Sequence, residues 1–454
     1  MFGRVLVANR GESAVRVIRA LHELDVEAVA IYSTADEHAL HVKLADQAVC
    51  IGPPAASESY LRIPSVVAAA ETTGCEAVHP GYGFLAENSG FARACAENDL
   101  VFVGPSPDVM DRLGDKAQAK VEMRAAGVPL VPGSAEAGTL TGLREVAGEI
   151  GFPVLLKATA GGGGKGMRLV TEAETFDASY RAAAAEAEAA FGDGSLYVEK
   201  AVSPARHVEI QVICDTLGGV LTLGERECSV QRRHQKLIEE SPSPALTPET
   251  REEMEEAVER ACRSVGYVNA GTFEFILGEE GEPYFIEVNC RLQVEHPVTE
   301  LVTGIDLVRE QLRVAAGEPL AHLGRAARRG HAIEIRLNAE DPAHGFRPAP
   351  GLVERFRVPL GPGVRVDTAI SDGVSVPPYY DSMIAKLIVH DDDRRAAIAR
   401  AIRCLEELEV VGIPTTRDLA LDVLRSEGFA SGDYSTGYLE EMASAFPSLR
   451  PATA

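Results

Sequence analysis

No C-x-x-C pair occurs among the eight cysteines of this 454-residue chain, at 50, 75, 95, 214, 228, 262, 290 and 404, nor does the paired spacing of a secreted disulfide scaffold. Reduced thiols in a cytoplasmic protein are therefore expected. Cys228 and Cys290 fall inside motifs discussed below, but read as buried small residues and not as nucleophiles. Basic residues are scarce: Lys and Arg total 44 against 68 acidic residues, a formal charge of −24. That balance disfavours nucleic acid or an anionic membrane surface as the main partner, and an anionic substrate would need locally basic pockets. No apolar run is long enough to span a bilayer. The opening M-F-G-R-V-L-V-A-N-R puts Arg10 straight after a short apolar run that reads as a first strand, which argues against a signal peptide. No internal repeat is found. The three-glycine dinucleotide fingerprint is missing from the first strand-to-helix turn, A-N-R-G-E-S.

What remains is a globular chain, 46% apolar, too long for one ordinary core, so two or three domains are expected. From Met1 to about Gly114, apolar runs alternate with helical patterns, the signature of a parallel sheet covered on both faces. G-Y-G-F-L-A-E-N, Gly81 to Asn88, follows a strand where ligands of open α/β sheets gather; Tyr82 between two glycines is either an exposed contact or part of a plain tight turn. A second region, 115–315, begins with strand, glycine loop and strand, then an Ala-rich helix (Phe176 to Ala190), the strand H-V-E-I-Q-V-I, and an acidic helix from Pro248 to Val265. A small lid, about 131–203, resting on a larger sheet accounts for this change of character. The third region, 330–445, opens with a strand that places Ile333, Ile335 and Leu337 on one face and Glu334, Arg336 and Asn338 on the other. It closes with amphipathic helices near 393–409 and 415–426. The fold class is thus α/β and α+β multidomain: an N-terminal parallel sheet, a central lidded domain and a C-terminal mixed domain.

The run G-T-F-E-F-I-L-G-E-E-G-E-P-Y-F-I-E-V-N reads as two alternating strands around a turn at Glu280 and Gly281, so Glu274 faces Glu287, with Asn289 two residues on along the same face. Two carboxylates about 5 Å apart repel by roughly 3 kcal/mol at an effective dielectric of 20. A hard divalent cation reverses that sign, and Glu274, Glu287 and Asn289 offer the oxygen ligands Mg²⁺ takes beside substrate phosphates. The alternative is a solvated hairpin face, or one whose charges pair with lysines.

Gly161 to Gly164, with Lys165 and Gly166, form a loop whose backbone N–H groups can close on phosphate oxygens, or a flexible hairpin tip. It is no Walker P-loop, since Lys165 is followed by glycine and the loop joins strand to strand. Lys157 ends the strand V-L-L-K just before it, and Lys116 opens the region; with the acidic hairpin they supply what phosphoryl transfer needs. Arg291, Gln293 and Glu295 are spaced by two, and Pro297 biases His296 toward an extended backbone, so the three are expected on one face. There an Arg fork and a carboxylate grip a planar oxyanion and take its proton, or simply pair with each other. Gln231 to Lys236, Q-R-R-H-Q-K, is a solvated strand end or part of an anion site.

These residues resemble the biotin carboxylase family, the ATP-grasp component of acetyl-CoA and related acyl-CoA carboxylases. The resemblance runs nearly the whole length: R-V-L-V-A-N-R-G-E, H-P-G-Y-G-F-L-A-E-N, K-A-T-A-G-G-G-G-K-G-M-R, R-H-V-E-I-Q, E-C-S-V-Q-R-R-H-Q-K, A-G-T-F-E-F, E-V-N-C-R-L-Q-V-E-H-P-V-T-E and Y-Y-D-S-M-I-A-K-L. It implies ATP held by Lys116, Lys157, Gly163, Gly164, the segment Glu199, Lys200, Ala201 and Val202, His207, Gln231 and His234. It implies Mg²⁺ or Mn²⁺ on Glu274, Glu287 and Asn289. Bicarbonate would meet Lys236, Arg291, Gln293 and Val294, with Glu295 as base and Arg291 as catalytic arginine, Lys236 and Arg336 completing the catalytic set. Biotin would contact Tyr82 and Arg336, the latter stabilising its enolate. Carboxyphosphate would be the intermediate, and carrier-bound biotin the acceptor in the first half-reaction of an acyl-CoA carboxylase of fatty-acid or related metabolism.

Ala160 and Lys165 stand where other members have glycine and arginine. The seven methionines include no M-K-M, whose lysine carries biotin, so the biotin carboxyl carrier protein and the carboxyltransferase subunit are expected on other chains, unless this one is cut from a longer subunit. The family suggests a homodimer. Two other readings are a related ligase that carboxylates a purine precursor or makes carbamoyl phosphate, and a non-catalytic nucleotide-binding subunit. The second is disfavoured by the presence of Lys236, Arg291, Glu295 and Arg336.

Overall fold

The computed structural model describes residues 1–134, 136–159 and 166–450. Strands β1 (Arg4–Val7), β2 (Glu27–Ser33), β3 (Gln47–Gly52), β4 (Ala77–His79) and β5 (Val101–Phe102) form a parallel sheet in the order β3-β2-β1-β4-β5. Val5 and Val7 bury against Ile18 and Leu21 of helix Gly11–Glu23, while Leu6 packs on the other face with Val66, Val78 and Phe91, the two-sided cover a parallel sheet requires.

A three-stranded antiparallel sheet, β6 (Val154–Ala158), β7 (Met167–Val170) and β8 (Leu196–Lys200), in the order β7-β6-β8, packs against helices Leu140–Ile150 and Phe176–Phe191 around Leu156, Phe176 and Val198. This is the small lid. The loop joining β6 to β7, with Gly163 and Gly164, lies outside the described residues.

The largest sheet has nine strands. It contains β9 (Arg206–Cys214), β10 (Val220–Arg232), β11 (Gln235–Ser241), β12 (Asn269–Leu277), β13 (Pro283–Asn289), β14 (Gly324–Arg325) and β15 (His331–Asn338), and is completed by Met383–Asp391 and Val364–Thr368. Its order is β13-β12-β9-β10-β11-β15, then Met383–Asp391 and Val364–Thr368, with β14 beside β10. One sheet therefore runs unbroken from the acidic hairpin into the C-terminal region through the β11–β15 pairing. As the alternation predicts, Ile333, Ile335 and Leu337 enter the core with the helix Arg394–Glu407.

Candidate active site

A cavity of about 820 Å³ opens between the parallel sheet, the lid and the large sheet. Every described residue expected at the site lines it except Ala201, which is buried with its backbone N–H donated to the Pro153 carbonyl.

Glu274 and Glu287 stand directly opposite on β12 and β13, the register the alternation predicts, and Thr272 faces Asn289. A bulge between Glu274 and Phe275 then shifts the outer half of the hairpin, so that Phe275 pairs with Phe285. Gly281, at φ +83°, makes the turn. Glu274 is buried. Its Oε1 accepts from Lys236 Nζ (3.1 Å), Asn289 Nδ2 (2.8 Å) and Gln293 Nε2 (2.8 Å), and its Oε2 lies 2.9 Å from His207 Nε2. Burial pushes its pKa up, but Lys236 and His207 outweigh this and hold it well below the usual carboxylate range. Glu287 is more open and, among the described residues, pairs only with Lys116, at 3.4 Å. Two carboxylates and an amide on adjacent strands form an all-oxygen donor set that fits Mg²⁺. His207, Glu209 and Glu274 also offer three ligand atoms within 4.8 Å of one another, but Lys236 donates to both Glu209 (2.6 Å) and Glu274, so an ammonium already fills that role.

Lys236 reaches a third carboxylate, Glu295, whose Oε1 is 2.6 Å away; Glu295 Oε2 accepts from Arg336 Nη2 at 2.8 Å. Burial raises the pKa of Glu295, and Lys236, Arg336 and Arg226 bring it well below normal. Arg336 in turn donates through Nε to Glu239 (2.6 Å). Glu239 pairs in register with Glu334, and burial pushes Glu239 up to about 7 and Glu334 well above its ordinary value.

The expected extended face over 291–295 does not form. Helix His296–Thr303 starts immediately after Glu295, and Pro297 sits in its first turn, where a missing N–H costs nothing. Nor do Arg291 and Glu295 stand as a pair. Arg291 donates to Glu87 (2.9 Å) and to Asn289 Oδ1 (2.9 Å), across the junction with the parallel-sheet region. Gln293, Val294 and Glu295 nevertheless converge on the cavity with Arg291.

The basic hairpin tip is tight: Gln231 pairs with Lys236, and Arg233 and His234 make the turn at φ +48° and +66°. On the lid, Lys157 Nζ is 2.5 Å from Glu199 Oε2. Tyr82 is half-buried at the C-terminal end of the parallel sheet. Asn9 Nδ2 donates to the carbonyls of Pro80 (2.7 Å) and Tyr82 (2.8 Å), and a Cβ on Gly81 would meet Ser13 Oγ at 2.4 Å, so glycine is required there. Cys228 and Cys290 are buried, as expected, and burial raises both thiols.

Sequence reasoning missed Arg226, Lys386 and Lys120. Arg226 is fully buried and all five of its N–H groups are used, on Glu209 (2.6 Å), Gln211 (2.7 Å), Thr299 (3.0 Å), Thr272 (3.2 Å) and Gln293 (2.9 Å). Its place on β10 among inward-facing residues was the available signal. Lys386, also fully buried, donates to the Val294 carbonyl at 2.9 Å and lies 5.6 Å from the Tyr82 ring centroid.

Comparison with known proteins identifies the family. Residues 1–110 match the family described as biotin carboxylase, N-terminal domain; 115–323 match carbamoyl-phosphate synthase L chain, ATP binding domain; 334–441 match biotin carboxylase C-terminal domain. The biotin carboxylase of Nostoc is 51% identical over 445 residues, covering 97% of this chain and 99% of its own length. Biotin carboxylase 1 of Bacillus subtilis is 51% identical, covering 97% and 98%. Among solved structures, a biotin carboxylase–beta-gamma-ATP complex from Campylobacter jejuni has a TM-score of 0.93 at 45% identity, covering 97% of this chain and 99% of that one. The biotin carboxylase domain dimer of Hydrogenobacter thermophilus 2-oxoglutarate carboxylase, in complex with MgADP, ADP and bicarbonate, has a TM-score of 0.92 at 48% identity, covering 98% and 99%.

Fold and site together define an ATP-grasp ligase. The chain belongs to the biotin carboxylase family. Its activity is that of the family, ATP-dependent carboxylation of biotin with bicarbonate. The flanking biotin carboxylase domains set aside the purine-precursor and carbamoyl phosphate readings.

Proposed function

We propose that Glu295 is the base that starts this reaction, and the observation that carries it is its carboxylate held between Lys236 (2.6 Å) and Arg336 (2.8 Å) beside Glu274. In that clasp Glu295 is a weak base. Bicarbonate meeting Lys236, Arg291, Gln293 and the Val294 backbone draws Lys236 away, and a buried carboxylate that loses a cation gains basicity. Glu295 then takes the bicarbonate proton while a carbonate oxygen attacks the γ-phosphorus, releasing ADP and forming carboxyphosphate. Carboxyphosphate breaks to CO₂ and phosphate, phosphate accepts the ureido proton of biotin, and the resulting enolate, held by Arg336 with Tyr82 against the ring, takes up CO₂.

ATP is assigned to Lys116, Lys157, the glycines Gly163 and Gly164, the segment Glu199 to Val202, His207, Gln231 and His234. Mg²⁺ or Mn²⁺ on Glu274, Glu287 and Asn289 supplies charge neutralisation for the transferring phosphoryl group. We read the chain as three domains, 1–114, 115–315 with its lid at 131–203, and 330–445, acting in the cytoplasm as a homodimer. Its biotin arrives on a separate carrier protein, and a carboxyltransferase subunit completes the acyl-CoA carboxylase. The dimeric Hydrogenobacter domain supports the assembly.

The test is ATP cleavage in purified protein. Dependence on bicarbonate, with a rise on adding free biotin, is expected. Cleavage that ignores biotin would point back to another bicarbonate-activating ligase, and no turnover to a non-catalytic subunit.

A further inference from the structure

Glu199 has two lysines. Lys157 approaches its Oε2 from the neighbouring strand β6, at 2.5 Å, and Lys120 pairs with its Oε1 from helix Lys116–Ala125. Among the described residues no other cation pairs with this carboxylate, whose side chain is only 6% exposed. Lys120 is the better anchored of the two: its ammonium also lies 4.1 Å from the centroid of the Tyr197 ring. One helical turn earlier on the same face, Lys116 reaches Glu287 of the acidic hairpin. The helix thus ties the lid, through Lys120, and the cation hairpin, through Lys116, to one rigid element. Burial lowers the pKa of Lys120, while Glu199 raises it; Glu199 is itself pushed up by burial and brought below normal by Lys157 and Lys120.

The reading above requires Lys157 to leave Glu199 and turn to the phosphates of ATP. Taking one cation from a buried pair leaves a bare charge in a low-dielectric wall, which is strongly unfavourable. A carboxylate that starts with two cations does not face that penalty.

We propose that Lys120 is a positioning residue of the nucleotide site: it remains on Glu199 as the standing counter-ion and so releases Lys157 to the nucleotide. This rests on Lys157 being a phosphate ligand. No motif discussed above contains Lys120, and its effect on catalysis passes wholly through Glu199 and Lys157.

The experiment uses the full chain and the variants Lys120→Met, Lys120→Arg, Lys157→Met and the double variant Lys120→Met/Glu199→Gln. Methionine keeps the stem over Tyr197 and removes the charge. Lys120→Met is expected to raise the KM for ATP about tenfold while leaving the KM for bicarbonate within about twofold, because only the nucleotide step needs Lys157 to move. Lys120→Arg should recover most of the affinity. Neutralising Glu199 as well removes the reason for a second cation, so the double variant should bind ATP better than Lys120→Met alone, a rescue no loss of packing produces. An unchanged KM for ATP in Lys120→Met, or a double variant no better than the single, overturns the proposal. If instead Lys157→Met leaves ATP affinity intact, the assignment of Lys157 is what fails, and this proposal falls with it. Should Lys120→Met not fold, the charge-free double variant and Lys120→Arg still decide, since an arginine variant weaker for ATP than the double is the opposite of what is expected.

Discussion

The Lys236 ammonium lies 2.6 Å from Glu295 Oε1, although 59 positions separate the two residues in the chain. One stands on a sheet strand beside the basic hairpin tip, the other at the N-terminal end of a helix, and both lie beside the buried Glu209, which Lys236 also meets at 2.6 Å. Glu295→Gln keeps the shape and removes the proton acceptor. It should lower bicarbonate-dependent ATP cleavage by about 10²–10⁴-fold while ATP still binds, a split that steady-state rates and equilibrium nucleotide binding measure side by side.

Chelation of divalent cations should abolish ATP cleavage, and restored activity should follow added Mg²⁺ or Mn²⁺. Glu287→Gln leaves the buried Glu274 cluster in place and removes the negative charge of the half-buried carboxylate paired with Lys116, proposed above as a cation ligand. The Mg²⁺ concentration for half-maximal rate should then rise by at least about tenfold. An unshifted metal titration would remove Glu287 from the cation site.

Arg226→Met removes one of the two cations on Glu209, Lys236 remaining at 2.6 Å, together with the donor that orients Gln293. Lys236 still neutralises Glu209, but each buried acceptor that loses its donor costs about 1–3 kcal/mol, so the unfolding free energy from urea titration should fall by several kcal/mol. A loss under about 1 kcal/mol would mean that the network is far less tightly bound than its five hydrogen bonds imply.

Glu240 provides a pH test away from the active site. Its carboxylate meets His331 (2.6 Å), Arg394 (2.7 Å) and the Tyr434 hydroxyl; burial pushes its pKa up, and these partners bring it down to about 2. A depressed carboxylate stabilises the fold above its unfolded value near 4.5, and that contribution is lost as pH falls through about 2. The drop is equivalent to about 3 kcal/mol. Glu240→Gln should therefore be less stable than the parent at pH 7, with the gap closing as unfolding is followed down toward pH 2. A gap that stays constant across that range would contradict the linkage.

Features legible in the chain were those set by short-range periodicity. Two-residue alternation and a glycine turn placed Glu274 opposite Glu287, and the same alternation separated Ile333, Ile335 and Leu337 from Glu334 and Arg336. Alternating strands and helices foretold a parallel first sheet. The motif resemblance supplied the family and the candidate residues. Spacing by two failed over 291–295, because a proline that disfavours helix before it also starts a helix well, and packing chose the latter.

What this sequence determined by itself is the set of chemical groups and the local ribbons that carry them, since hydrogen-bond pattern and side-chain period act between near neighbours. Only the tertiary structure decided that Arg291 would face Glu87 and not Glu295, that Arg226 would spend every N–H inside the sheet, and that Glu199 would hold Lys120 as well as Lys157. Those choices depend on which distant segments exclude water together, and a buried charge takes whatever partner the fold brings within reach.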